Sequence, residues 1–150
     1  MELPKGITGF TDAISGELPK TDCNQFKQLC FTLSFRPFIK FSSFTAAGQS
    51  SNYHCAKMIV NGHTVFILLN AHFPYLAFAS EFRSESFNFI DHADWSEVFS
   101  HSYQVLSAAE LNVSLDSEQL NALQLNKAEM KQAAYWKPKT TGQWIFNHWD

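Results

Sequence analysis

The stretch that decides the fold is residues 53–70, which read YHCAKMIVNGHTVFILLN. Two apolar-rich runs of eight residues flank Asn61-Gly62. Asn-Gly readily adopts the positive φ angles of a two-residue type I′ turn, so the stretch predicts a β-hairpin with strands 53–60 and 63–70. The turn sets the register, and the pairs on one face, which is apolar, are Val60 with His63, Met58 with Val65, and Ala56 with Ile67.

The other face of the predicted hairpin mixes polar and apolar side chains. Because polar positions interrupt it, we expect this face to be only partly covered by the rest of the chain. Its cross-strand pairs are Ile59 with Thr64, Lys57 with Phe66, and Cys55 with Leu68.

Further strands are predicted on both sides of the hairpin. Residues 38–45 form a candidate strand before it, and residues 75–80 and 86–90 form two after it, with Phe73-Pro74 as the connection. Strands that follow each other along a chain usually pair, so this order predicts an antiparallel meander. Residues 1–21 contain three glycines, two prolines and no periodicity, which indicates an irregular N-terminal arm.

Residues 22–35 allow two interpretations. A helix is supported by an N-cap signal at Asp22, with Gln25 three residues later, and by Pro37, which would end it. The alternation of residues 29–35 instead matches a strand. We favour the helix, whose apolar stripe comprises Phe26, Leu29, Cys30 and Leu33.

After residue 92 the pattern changes to short helices with capping signals. Pro138 ends one of them, and the last is expected to run through Trp149. The N-cap candidates are Asp94, Ser107 (with Glu110), Asp116 (with Gln119), Asn126 (with Glu129) and Thr140 or Thr141. The sequence thus predicts a single α+β domain over residues 1–150, a small antiparallel sheet with the hairpin 53–70 at its centre, packed with several short, mostly C-terminal helices.

The charge and cysteine content exclude several classes of protein. A net charge of −3 argues against a general nucleic-acid binder, which needs clustered Lys and Arg. Three cysteines without regular spacing do not form a disulfide framework and favour a reducing compartment. The longest apolar run, Val65 to Leu69, is too short to cross a bilayer, and residues 1–10 lack a signal-peptide pattern. We therefore expect a cytoplasmic protein that contacts neither nucleic acid nor membrane.

A search for chemical motifs finds no strong candidate. The six histidines lack metal-ligand spacing, and neither a phosphate-binding loop nor a nucleophile elbow occurs. Cys30 and Cys55 lie in apolar patterns, which keep a thiol protonated. Asp91-His92-Ala93-Asp94 could supply an acid–base pair, but Asp and His are also common in turns and caps. We expect no catalytic residue, metal or cofactor; the alternative is a small hydrolase or ligand-binding domain that uses Asp91, His92 or His101.

Acidic residues concentrate in the middle of the chain. Between residues 81 and 97 there are five acids and one base, Arg83, which gives this segment a net charge of −4. Such a segment is either a solvated face or a patch that steers a basic protein partner. Aromatic residues, which anchor many interfaces, interleave with the acids, namely Phe82, Phe87, Phe89 and Trp95. The candidate binding residues are Glu81, Glu85, Asp91, Asp94 and Glu97.

The C-terminal segment holds three of the four tryptophans and reads first as an aromatic lid on the core. Its pattern is Trp136-x-Pro138, Thr141-Gly142 and Ile145-Phe146-Asn147-x-Trp149-Asp150. With the span Val60 to Ala79, which contains His72-Phe73-Pro74-Tyr75-Leu76-Ala77-Phe78, this pattern resembles immunity proteins of polymorphic and contact-dependent toxin systems. The resemblance implies a cytosolic antitoxin, not an enzyme, that binds a cognate C-terminal toxin domain, often a nuclease, and blocks it. No toxin-contacting residue is carried over from the family.

Overall fold

The structure, a computed structural model, describes residues 3–12, 16–48, 51–83, 86–115 and 125–148. The helices in these ranges are α1 (Cys23–Thr32), α2 (Ala93–Phe99), α3 (Ala108–Leu111), α4 (Lys127–Trp136) and α5 (Thr141–Ile145), and a 3₁₀ turn spans Leu33–Phe35. The strands are β1 (Ile39–Thr45), β2 (Tyr53–Val60), β3 (His63–Asn70), β4 (Tyr75–Arg83), β5 (Ser86–Ile90) and β6 (Gln104–Val105). The predicted α+β class is confirmed.

Strands β1 to β5 lie side by side in chain order and pair antiparallel, so the predicted meander is confirmed. The hairpin has the predicted register, from Val60 opposite His63 to Tyr53 opposite Asn70. Strand β4 continues past residue 80 to Arg83, because β5 pairs with it up to that residue. The sequence did not predict β6, which pairs parallel to the start of β4.

Residues 23–32 form a helix, so the helical interpretation of residues 22–35 is confirmed and the strand alternative is wrong. The Asp22 side chain accepts a hydrogen bond from the Gln25 N–H at 3.0 Å, as the capping signal predicts. Phe26, Cys30 and Leu33 are buried against the sheet. The segment is helical and not extended because helical spacing places Phe26, Cys30 and Leu33 on one side, where all three can be buried.

The sheet is covered on both faces. We call the face with the apolar hairpin pairs the first face; α1 and α2 pack on it, with Trp95 at its centre. The N-terminal arm, α3 and α5 cover the second face, where Trp144 is buried. The expected partial cover of this face is confirmed for five of its six paired residues, which are half-buried, whereas Leu68 is fully buried. The cover comes from segments far from the hairpin in sequence.

The C-terminal helices follow most of their capping signals. Capping boxes form at Ser107–Glu110 and Asn126–Glu129, and α4 ends before Pro138 as predicted. Helix α5 starts after Thr140 but ends at Ile145, so its expected extension is wrong. Beyond Ile145 the chain does not continue the helix, because the N–H of Asn147 donates a hydrogen bond to the side chain of Asn52, the residue before β2. The predicted cap at residue 116 and the last tryptophan lie outside the described residues.

The cap of α2 differs from the prediction. His92, not Asp94, is the N-cap, and its Nδ1 accepts a hydrogen bond from the Trp95 N–H at 3.3 Å. The imidazole holds this position because it stacks on the Trp95 ring, with the ring centroids 4.2 Å apart. Asp94 lies in the first turn, where its carboxylate still interacts favourably with the helix dipole.

Glu129 joins the N-terminal arm to α4. Its side chain is fully buried. Oε1 accepts hydrogen bonds from the N–H groups of Gly6 (2.8 Å) and Asn126 (3.2 Å). Oε2 accepts them from the N–H (3.1 Å) and the hydroxyl (2.6 Å) of Thr8. These four donors compensate for the lost hydration of the carboxylate, and they hold an arm that has no regular structure of its own.

Three buried asparagines join the arm, the sheet and the C-terminal segment. The amide groups of Asn52 and Asn70 each donate to the carbonyl oxygens of Ile7 and Ile145, at 2.8–3.0 Å. The N–H of Asn147 donates to Oδ1 of Asn52 at 2.8 Å. Because Ile7 lies in an irregular segment and Ile145 ends a helix, these amides supply partners that regular structure does not.

Replacing Glu129 with Gln should destabilise the protein by about 2–3 kcal/mol, because an amide NH₂ would face donors that a carboxylate oxygen now satisfies. Urea unfolding followed by tryptophan fluorescence measures the loss. Glu110→Gln is the matched control, since Glu110 occupies the same capping-box position but is exposed, and it should cost less than about 1 kcal/mol. Equal losses in the two variants would contradict a special role for the buried carboxylate.

Gly142→Ala should also destabilise the protein. An added Cβ would lie 2.5 Å from Cε2 of Phe89 and 3.1 Å from the carbonyl oxygen of Leu111. Overpacking of this kind costs about 1–3 kcal/mol, which exceeds the gain of about 1 kcal/mol in helix propensity. Thermal unfolding should show a lower midpoint, whereas Gly48→Ala, where a Cβ meets nothing within 4 Å, should stay near wild type. A Gly142→Ala midpoint at or above that of wild type would disprove the close packing.

Candidate protein-binding surface

Helix α2 has a buried side and an acidic side. Trp95 and Phe99 are almost completely buried and fix the helix on the first face of the sheet. These two residues are one turn apart, so they determine the rotation of the helix about its axis. Asp94 and Glu97 are consequently exposed to solvent.

A groove with a volume of 460 Å³ lies between α2, β6 and the start of α3. Three carboxylates line it, those of Asp91, Glu97 and Glu110. None of the described residues along it is Lys, Arg or His. Carboxylates gathered in a groove produce a negative potential that attracts cationic groups. We call this the acidic groove.

A second groove, of 490 Å³, lies on the other side of α2. Its lining includes Asp94, Glu97, Val98, His101 and Arg36. Glu97 thus borders both grooves, and α2 forms the wall between them. Arg36 follows the 3₁₀ turn after α1, so this groove extends the charged surface toward the end of the first helix.

Backbone contacts hold two of the carboxylates in the acidic groove. Oδ1 of Asp91 accepts a hydrogen bond from the Ala108 N–H at 2.9 Å, which connects the end of β5 to the first turn of α3. Oε1 of Glu110 accepts one from the Ser107 N–H at 3.0 Å. Their positions are therefore set by the fold before any partner arrives, whereas the Glu97 side chain extends from the helix into solvent.

The structure brings together three of the five predicted binding residues. Asp91, Asp94 and Glu97 lie on or beside α2. The side chain of Glu81 and the whole of Glu85 lie outside the described part of the chain. The charge pattern did not place Glu110 among the candidate binding residues, because Glu110 lies after the acidic segment of residues 81–97. Its capping box, one short connection after α2, was the available signal.

The alternative catalytic residues do not share one groove. Asp91 lines the acidic groove, while His101 lines the second groove across α2. The Nδ1 of His92 is used as the cap of α2, and its ring stacks on Trp95. Among the described residues, no three His, Cys, Asp or Glu side chains are placed to hold a metal ion.

Three of the four aromatic residues that interleave with the acids have described side chains, and these three, Phe87, Phe89 and Trp95, do not form an exposed anchor. Trp95 and Phe89 are buried in the two cores. Among the described residues, Tyr135 on α4 has an exposed ring, and three more exposed rings, those of Phe31, Phe35 and Phe38, lie at the end of α1 and in the turn after it. The sequence contained this signal, because Phe31 and Phe35 lie off the buried stripe of α1.

Comparisons with known proteins find no matching family model, no matching curated protein and no matching solved structure. Within the described ranges, no helix is long and apolar enough to cross a membrane. The function is therefore inferred from the surface around α2 and from the pattern of the C-terminal segment.

The thiols of Cys30 and Cys55 lie in apolar surroundings, as their sequence patterns predict. Burial raises the pKa of the Cys55 thiol to about 12. Burial also raises the pKa of the Cys30 thiol. Because the thiolate is the reactive form, both groups are protonated and unreactive near neutral pH.

In the folded protein, Cys30 and Cys55 should react with iodoacetamide at neutral pH at least about 100-fold more slowly than free cysteine. Mass spectrometry of the labelled peptides measures each site separately. Labelling in urea is the control, because unfolding removes the burial that raises both pKa values. Rapid labelling of either thiol in the native protein would contradict this account of the two sites.

Proposed function

We propose that this chain is a non-enzymatic immunity protein, which neutralises a cognate toxin domain in the cytoplasm by forming a stoichiometric complex with it. The toxin domain is basic, which is the charge that a nuclease needs to hold a phosphate backbone. The observation that carries the proposal is the acidic groove, where Asp91, Glu97 and Glu110 lie without a compensating base among the described lining residues.

An acidic surface inhibits a basic domain by simple competition. Lysine and arginine side chains that pair with carboxylates in the groove are no longer available to phosphate groups. Opposite charges also raise the rate of encounter, which favours an inhibitor that must reach its toxin quickly. Because two of the carboxylates are already held by backbone N–H groups, little side-chain entropy is lost when the complex forms.

The C-terminal pattern supports the proposal through a different part of the molecule. Ile145 and Phe146 are buried in the core of the second face, and the N–H of Asn147 donates a hydrogen bond to Oδ1 of Asn52. These three residues, which belong to the pattern that resembles immunity proteins, thus hold the fold together. Helix α2 packs on the first face, so its acidic side chains can differ among such proteins while the scaffold stays the same.

The test is a charge reversal at Glu97, which borders both grooves and is exposed. The probe is the purified toxin domain, which we expect to be encoded by the gene next to that of this chain. Glu97→Lys should weaken binding about tenfold or more, because it replaces an attraction with a repulsion. Most of this loss should appear in the association rate, measured by stopped-flow fluorescence, and wild-type association should slow steeply as salt is added.

Glu17→Lys is the control for net charge, because Glu17 is exposed but belongs to the N-terminal arm. It should change binding much less than Glu97→Lys does. An equal effect of the two reversals, or association of the wild type that is insensitive to salt, would rule out the acidic groove as the binding site. Failure of the wild type to bind the toxin domain would overturn the immunity function itself.

A further inference from the structure

Three phenylalanine rings form an exposed aromatic patch at the end of α1. Phe31, Phe35 and Phe38 are 49%, 75% and 81% exposed. The rings of Phe31 and Phe35 make an edge-to-face contact, with their centroids 5.6 Å apart. Phe31 also lies 5.7 Å from the half-buried ring of Phe41 on β1. The rings of Phe31, Phe35 and Phe41 therefore form one contiguous cluster that continues into the core on the first face of the sheet, and Phe38 follows in the turn three residues after Phe35.

Phe38 occupies a backbone conformation that suits glycine. The Ile39 N–H donates to the carbonyl oxygen of Arg36 at 3.4 Å, which closes a four-residue turn. Pro37 is the second residue of this turn, and Phe38, the third, has a φ of 65°. This is the arrangement of a type II turn, in which the third position is normally Gly because a side chain there is strained.

The fold gives no reason for a phenylalanine at this position. The carbonyl oxygen of Phe38 accepts a hydrogen bond from the Asn61 N–H at 3.0 Å, which ties the turn to the hairpin, but any residue offers that oxygen. A ring that is 81% exposed contributes little burial of its own. A strained residue whose side chain does not stabilise the fold is typical of a functional position.

The aromatic patch adjoins the charged surface around α2. Arg36 lies between Phe35 and Pro37 in the chain, and it lines the second groove with Asp94 and Glu97. An apolar centre beside a charged, solvent-exposed margin is the composition of a protein interface, in which aromatic side chains carry most of the binding energy. The carboxylates of Asp94 and Glu97 beside the patch fit a partner that has basic side chains next to an apolar pocket.

We infer that Phe38, supported by Phe35 and Phe31, is the aromatic anchor of the interface and inserts into an apolar pocket on the basic partner. This inference rests on the proposed function and adds to it the residues that supply affinity, while the carboxylates around α2 supply orientation and encounter rate. The turn holds the ring in place before binding, so no loop ordering opposes complex formation.

The test compares Phe38→Gly and Phe38→Ala with Tyr135→Ala. Glycine removes the ring and the strain, whereas alanine removes the ring and leaves a side chain at positive φ. Tyr135 is 76% exposed but lies on α4, away from the patch, and is the matched aromatic control. Isothermal titration with the toxin domain should show binding about thirtyfold weaker than that of wild type for both Phe38 variants. Binding by Tyr135→Ala should stay near that of wild type. Phe38→Gly should also unfold at a temperature equal to or higher than that of wild type.

The outcomes separate this inference from the function on which it rests. If the toxin domain binds wild type and both Phe38 variants equally, the anchor is disproved and the immunity function stands. If it does not bind wild type, both fail. A lower unfolding temperature for Phe38→Gly would show that the ring serves the fold. If light scattering detects a dimer of wild type that Phe38→Gly abolishes, the patch is a contact between copies of this chain, and the inference is overturned.

Discussion

The fold depends on a buried polar network that ties both ends of the described chain to the central sheet. Glu129 accepts four hydrogen bonds in the interior, three of them from Gly6 and Thr8 in the N-terminal arm. Asn52 and Asn70 bind the same two carbonyl oxygens, one in the arm and one at the end of α5. Without these contacts the arm would have no fixed position on the second face of the sheet, because it has no regular structure to hold it there.

Local signals predicted the parts of the fold that local physics determines. Asn61-Gly62 set the hairpin register, and the cap at Asp22 identified α1, since both effects act within a few residues. The cover of the second face could not be predicted, because it depends on contacts such as that between Asn147 and Asn52, which are 95 residues apart. Asp94 was the wrong cap although His92 and Trp95 are close in sequence, because residue types and spacing alone do not show that the imidazole stacks on the indole ring.

The candidate site was predicted in part. Charge pattern alone located Asp91, Asp94 and Glu97, because acids close in sequence stay close around one short helix. It missed Glu110, which joins the acidic groove through the contact of Asp91 with α3. It also missed the aromatic patch, because Phe31 and Phe35 fall in the predicted helix 22–35 and Phe38 falls in the predicted strand 38–45. We therefore propose two separate tasks: the C-terminal segment holds the scaffold, and α2 with the end of α1 presents charge and exposed rings to a partner.

We propose that the surface formed by α2 and the end of α1 binds a basic toxin domain. Hydrogen exchange of the backbone, measured with and without the toxin domain encoded by the neighbouring gene, tests it most directly because it locates the interface without any substitution. Binding should slow hydrogen exchange in residues 31–41 and 91–110 and leave the exchange rates of α4 unchanged. Protection confined to α4 and the N-terminal arm, with none around α2, would contradict it.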